Sequence, residues 1–255
     1  MVLNQKPGAL ALVGSGEYTP AMNETDRSLL ETVGGPSAAR VVIMATASGL
    51  EDPSSPARWT RMGLDHFQKL GTHVEAAEIL QREDASDPHW LSLLEKANFY
   101  YFSGGSPQHL IETLRDTPAW RIIQQGWQNG AVLAGCSAGA MALGGYTASV
   151  RSVMRGDGPG WIPALGWLPG LITLPHFDRM AGYAGPEMFH QLLSHIPKET
   201  LLVGVDEDTA LVRGINSVAS NWQVLGRQSV SLFSSVGKAT IYRKGEDVPL
   251  NKFLA

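Results

Sequence analysis

A chain of 255 residues is long enough to bury one large α/β core or two small ones. Its 44% hydrophobic and 17% charged composition is that of an ordinary soluble globular protein with few surface charges. A net charge of −4 without a block of like charges argues against an electrostatic grip on nucleic acid or an acidic membrane, and a lone cysteine, Cys136, excludes an internal disulfide and a thiolate metal cluster.

The opening MVLNQKPGALALVGSGEYT has one lysine, an early proline and an apolar run too short for a signal peptide. No later segment reaches membrane-spanning length, so a cytoplasmic protein is expected. ALALVGSGE (9–17) starts a series of short apolar runs, each ending in a glycine-rich or polar loop. RVVIMATASG (40–49), NFYYFSGGS (98–106), AVLAGCSAG (131–139) and LLVGVDEDT (201–209) share this shape, which suits strands buried on both faces. Between them, ETDRSLLETV, PARWTRMGLDHFQKLG, SPQHLIETLRD and PAWRIIQQGWQNG carry apolar residues at helical spacing, the last ending in the Asn-Gly of a helix stop. Strands alternating with helices predict a doubly wound, mostly parallel sheet with helices on both faces and ligands bound at the carboxyl ends of the strands. Residues 151–170, rich in glycine, proline and tryptophan, read as a structured flap, with Trp161 and Trp167 either walling a pocket or packing on the sheet. WQVLGRQSVSLFSSVGKATIYRKGE predicts two or three antiparallel strands near the C-terminus. No repeat or linker divides the chain, so residues 1–255 are expected to form a single domain.

The chemistry concentrates at Gly135-Cys136-Ser137-Ala138-Gly139, a G-x-S-x-G motif between a predicted strand and a small-residue helix. That context is what a nucleophile elbow requires: a tight turn at the strand end lifts the hydroxyl out of the sheet, and the Ala138 N–H faces an attacked carbonyl. The alternative is a glycine-rich turn in which Ser137 caps the helix. Gly104-Gly105 follows another buried strand and can turn a second N–H toward the same oxygen. Of the seven histidines, His66, His73 and His109 fit solvated or capping positions, and His89 a polar loop. His190 and His195 fall in an amphipathic segment, while His176 follows the apolar run of LITLPHFD at a strand end. For the carboxylate that orients such a base, Asp206, Glu207 and Asp208 stand at one strand end, with Asp178 as a rival. GSGEYT has two of the three glycines that dinucleotide binding requires and no acid ending a following strand, so no such cofactor is expected.

Taken in order, GSGE, FSGGSPQ, AGCSAGAM, LPHFD and GVDEDTAL resemble the cyanophycinase and aspartyl dipeptidase (dipeptidase E) family of serine peptidases over residues 9 to about 235. The resemblance implies a flavodoxin-like or class I glutamine amidotransferase-like fold, a three-layer α/β/α sandwich with a small antiparallel C-terminal extension. It also implies hydrolysis of a peptide or isopeptide bond at an Asp residue through an acyl-enzyme, and a homodimer. Carried over, Ser137 is the nucleophile, His176 the general base and Glu207 the orienting acid, with Gly105 and Ala138 as oxyanion donors. Gln108, Arg155 and Arg179 are candidates for holding substrate, and no metal or cofactor is implied. Two positions depart from the family pattern. Cys136 precedes the serine where threonine or tryptophan is usual, and only Arg179 stands where cyanophycinases follow the histidine with several arginines. A catalytically idle peptide-binding scaffold and an esterase are the rival readings.

Overall fold

The apolar runs at the start of the chain pair side by side. The computed structural model describes residues 6–149, 160–180, 190, 192–215, 221–235 and 238–250. Strands β1 (Leu10–Val13), β2 (Arg40–Met44), β3 (His73–Ala76), β4 (Phe99–Phe102) and β5 (Val132–Cys136) form a parallel array in the order β1-β5-β4-β2-β3. Their registers include Val13 opposite Cys136 and Phe102 opposite Gly135, so the loops after β1, β4 and β5 leave the sheet together.

Helices cover both faces, as the alternation predicts. Ala11, Val13, Ile43, Tyr101 and Cys136 meet α1 (Asn23–Glu31) and α2 (Ser54–Lys69) on one side. Leu10, Leu12, Met44, Phe102 and Leu133 face α3 (Pro88–Lys96), α4 (Pro107–Leu114), α5 (Pro118–Gln128) and α6 (Ala138–Ala142) on the other. Helix α3 and the half-exposed edge strand β3 were not singled out in the sequence, where HWLSLLEK is short and HVEA is half polar. Helix α3 is started by Asp87, whose side chain accepts from the His89 N–H, with Pro88 at its first position.

Beyond α6, an antiparallel pair β6 (Tyr146–Ala148) and β7 (Trp161–Pro163) precedes β8 (Leu171–Leu174) and β9 (Leu201–Val205). Here the structure refines the expectation. β9 does not join the large sheet; it pairs in parallel with β8 in a second, four-stranded sheet. It is buried on both faces because Leu201, Val203 and Val205 join the core of the large sheet while Leu202 packs with Ile172, Leu174 and Phe233. β10 (Thr209–Arg213) turns back to pair antiparallel with β1, followed outward by β11 (Trp222–Gly226). β12 (Ser229–Ser235) and β13 (Lys238–Arg243) complete the second sheet, and β14 (Asp247–Val248) closes the edge of the first. The antiparallel tail is therefore shared between two sheets. The result is a mixed α/β sandwich built on a large, mostly parallel sheet with extra antiparallel strands near the C-terminus.

Two residues of the flap region resolve differently. Trp167 packs between Trp120 and Trp127, at 5.7 and 4.8 Å between ring centroids, and Trp161 lies partly buried against the cluster of Ile172, Leu174, Leu202 and Phe233. His66, read as solvated or capping, is instead buried against Asp26, with Nε2 at 2.7 Å from Oδ2, because its face of α2 is turned toward α1. Among the described residues no helix is long and apolar enough to cross a membrane.

Candidate active site

The turn after β5 is strained in a way that exposes one hydroxyl. Ser137 has φ 50° and ψ −113°, a conformation a non-glycine residue adopts at a cost of about 1–3 kcal/mol when its surroundings enforce it. They do: the Ser137 N–H donates to the Val13 carbonyl at 2.9 Å, and its own carbonyl accepts from the Met141 N–H as α6 begins. A Cβ on Gly139 would stand 2.6 Å from the Phe102 carbonyl oxygen, so the helix can lie this close to β4 only with glycine there. Ser137 makes no side-chain cap to α6. Its Oγ lies instead 3.1 Å from His176 Nε2.

His176 reaches that position from the end of β8. It too has positive φ, at 49°, and its N–H donates to the Gly14 carbonyl, pinning the turn against the loop after β1. The other ring nitrogen, Nδ1, lies 2.8 Å from Glu207 Oε1 at the end of β9, the strand paired in parallel with β8. The side chains of His176 and Glu207 are 39% and 29% exposed, so the relay is open to solvent on one side.

The three adjacent acids separate by direction. Asp206 is buried and accepts from the Ser229 N–H and hydroxyl across the strand pair. Asp208 pairs with Arg227 at 3.4 Å, and Glu207 alone of the three meets the imidazole. Asp178 does not touch the ring; its Oδ1 accepts the Glu207 N–H at 2.9 Å. Gln228 donates to the Glu207 carbonyl at 2.9 Å and to Asp178 at 3.3 Å, and Arg179 Nε stands 3.4 Å from Glu207 Oε2.

Opposite the elbow lies the loop after β4. Gly105 has φ 136°, and a Cβ there would overlap the Ala47 backbone, so only glycine holds this course. The Ser106 N–H donates to the Ala47 carbonyl at 2.7 Å and the Gly104 N–H to Glu17 Oε1 at 3.0 Å, fixing the residues on either side of Gly105. The Ala138 N–H, at the first position of α6, has no intrahelical acceptor. Of the candidate substrate contacts, Gln108 donates to Glu112 along α4, Arg179 is 62% exposed beside Glu207, and Arg155 lies outside the described residues. Among the described residues no group of three or more His, Cys, Asp or Glu is arranged to hold a metal ion.

Glu17 belongs to this neighbourhood and was not singled out as a site residue. The signal was faint: a single acid ending GSGE. Its carboxylate, 5% exposed, also accepts the Cys136 thiol hydrogen, with Sγ at 2.9 Å from Oε2. Burial first, and the Glu17 carboxylate second, push the Cys136 thiol well above its ordinary pKa, so it stays protonated beside the elbow.

The profile of peptidase family S51 matches residues 10–218. A crystal structure of a peptidase from an acI-B1 Actinobacterium is 34% identical, with a TM-score of 0.84, covering 96% of this chain and 98% of that one. A candidate peptidase E from Listeria monocytogenes EGD-e, 17% identical with a TM-score of 0.57 over 93% of this chain and 98% of its own, shares the fold. The cyanophycinases of Synechococcus elongatus and Thermosynechococcus vestitus are each 28% identical over 179 residues, 68% of this chain and 53% of theirs. The chain thus spans about half the length of the curated relatives it matches.

Proposed function

This chain belongs to peptidase family S51, and on that footing we propose that it hydrolyses a peptide or isopeptide bond through an acyl-enzyme formed on Ser137. The observation that carries the reading is the unbroken run from Ser137 Oγ through the His176 imidazole to Glu207, with contacts of 3.1 and 2.8 Å. His176 Nε2 takes the hydroxyl proton as Oγ bonds to the substrate carbonyl carbon, then gives that proton to the leaving amine as the C–N bond breaks. A water molecule next passes a proton to Nε2 and bonds to the acyl carbon, and Ser137 departs with the proton restored. Glu207 keeps the Nδ1–H tautomer facing it and stabilises the imidazolium. The Gly105 and Ala138 amides hold the oxyanion, each such donor contributing about 3 kcal/mol to lowering the barrier.

The preferred bond is one at an aspartyl residue. This reading is supported by the likeness to proteins named cyanophycinase and peptidase E. Arg179, mostly exposed beside Glu207, is a cation that can meet an aspartyl carboxylate in bidentate fashion. The test is a panel of Asp-X dipeptides, β-aspartyl peptides and cyanophycin, offered to the wild type and to Ser137→Ala. Hydrolysis by the wild type alone, at equal melting temperature, is the expected result, since alanine removes one hydroxyl and no cap. Turnover surviving in Ser137→Ala removes the serine from its role; cleavage of esters but of no amide supports an esterase.

A further inference from the structure

We infer that Glu17 is a positioning residue of the hydrolytic site, its one buried carboxylate holding, by one oxygen each, the two backbone segments that carry the Gly105 and Ala138 amides. The inference rests on the serine-peptidase reading and adds to it the group that sets the spacing of its oxyanion donors.

A carboxylate buried without a cation is an expensive choice of side chain. Glu17 is 5% exposed, and among the described residues no Lys, Arg or His forms an ion pair with it. What it does have is two donors from two remote parts of the chain. Oε1 accepts the Gly104 N–H at 3.0 Å, one residue before Gly105. Oε2 accepts the Cys136 thiol hydrogen at 2.9 Å, one residue before Ser137 and two before Ala138. A carboxylate can accept through each of its two oxygens; an amide of the same shape presents a donor on one side.

The surrounding contacts give that arrangement a positional meaning. Ser106 is held to the Ala47 carbonyl on the far side of Gly105, so the Gly104 clamp completes a two-sided grip that leaves the intervening N–H free to aim at substrate. The Ser137 N–H is tied to Val13, so the Cys136 clamp does the same on the elbow side. The parts also lie in contact range: a Cβ on Gly104 would stand 3.1 Å from Glu17 Oε1 and 3.4 Å from Ser137 Cβ. Glu17 itself stands just beyond β1, the strand between the elbow strand and β10, and so reaches both loops from one rigid base. A displacement of an oxyanion donor by about 1 Å is enough to cost on the order of a hundredfold in rate.

The probe is a fluorophosphonate, whose phosphonyl oxygen occupies the place of the oxyanion when it labels the serine. Glu17→Gln keeps the length and an acceptor for Gly104 but turns a donor toward the Cys136 thiol. The expected result is a rate of labelling at saturation lowered about a hundredfold, an unchanged half-saturating concentration, and a melting temperature close to wild type. Cys136→Ala, which takes the donor from Oε2, should lower the same rate, and Cys136→Ser, which returns a hydroxyl, should restore it. A folded Glu17→Gln labelled at the wild-type rate, or slowed only through its half-saturating concentration, overturns the inference. Should Glu17→Gln fail to fold, the cysteine pair decides: Cys136→Ala indistinguishable from wild type overturns it equally. A wild-type protein that takes no label removes the serine-nucleophile reading first, and this inference with it.

Discussion

Ser137, His176 and Gly105 hold backbone shapes that an unconstrained chain avoids, and each is held by hydrogen bonds of neighbouring strands and loops rather than by its own sequence. Strain of this kind tests itself by substitution. Gly105→Ala must place a Cβ into the Ala47 backbone at a φ of 136° that alanine rejects. We expect a loss of about 1–3 kcal/mol in stability by denaturant unfolding, together with loss of turnover, because the loop must move to make room. Tyr101 makes the opposite case. Its hydroxyl is buried without a partner among the described residues, between the sheet and α2. Tyr101→Phe deletes an unpaired polar group and leaves the ring, so a gain of about 1 kcal/mol is the expected outcome of the same measurement at neutral pH.

Among the elements, α5 shows packing overruling propensity. Gly126 interrupts this otherwise strong helix, and alanine there should by propensity alone stabilise by about 1 kcal/mol. The ring of Tyr100 lies against it, with a Cβ at Gly126 only 2.9 Å from Cε2, and the Tyr100 hydroxyl is itself held by the Leu94 carbonyl at 3.0 Å. The collision exceeds the propensity gain, since overpacking costs typically 1–3 kcal/mol. Gly126→Ala should therefore lower the melting temperature; a rise would show that the Tyr100 ring can swing aside. The two halves of the tail differ for a related reason. β11 and β12 are joined by a tight turn at Gly226, φ 96°, yet pair with different sheets, since Val224 meets β10 while Leu232 meets β9.

At the scale of the whole molecule, the large sheet collects the loops after β1, β4 and β5 on one side, and the second sheet brings the ends of β8 and β9 to the same place. The same deep core sets the response to alkali. Burial raises Tyr18, Tyr101 and Cys136 well above their ordinary pKa values and Tyr100 to about 12. A group whose folded pKa lies above its unfolded one contributes stability in full below the unfolded value and loses it as pH climbs through the folded one. Melting temperature should therefore hold steady at neutral pH and fall from about pH 9 upward, through 12. Tyr101→Phe should flatten that fall; an unchanged slope would mean that folding does not raise the Tyr101 pKa.

Most of the strands and helices were legible in the sequence because period is local: a run such as RVVIM reads as a buried strand and HFQKLG as the close of a helix, whereas the short α3 and the half-polar β3 carry no such pattern. The serine with its small neighbours and the histidine after LITLP were legible for the same reason, since each ends an apolar run in a polar loop. The choice among Asp206, Glu207 and Asp208 was not. Consecutive residues point in different directions, and which direction meets an imidazole depends on the pairing of β9 with β8 on one side and β12 on the other. Nor did any local pattern reveal Glu17, whose partners lie 87 and 119 residues away. Composition and periodicity by themselves determined the layered α/β class and the strand-end positions of the reactive groups. Only the tertiary structure decided which acid faces the ring, which sheet each late strand joins and what holds the glycine loop, because these are contacts between remote segments that no local propensity encodes.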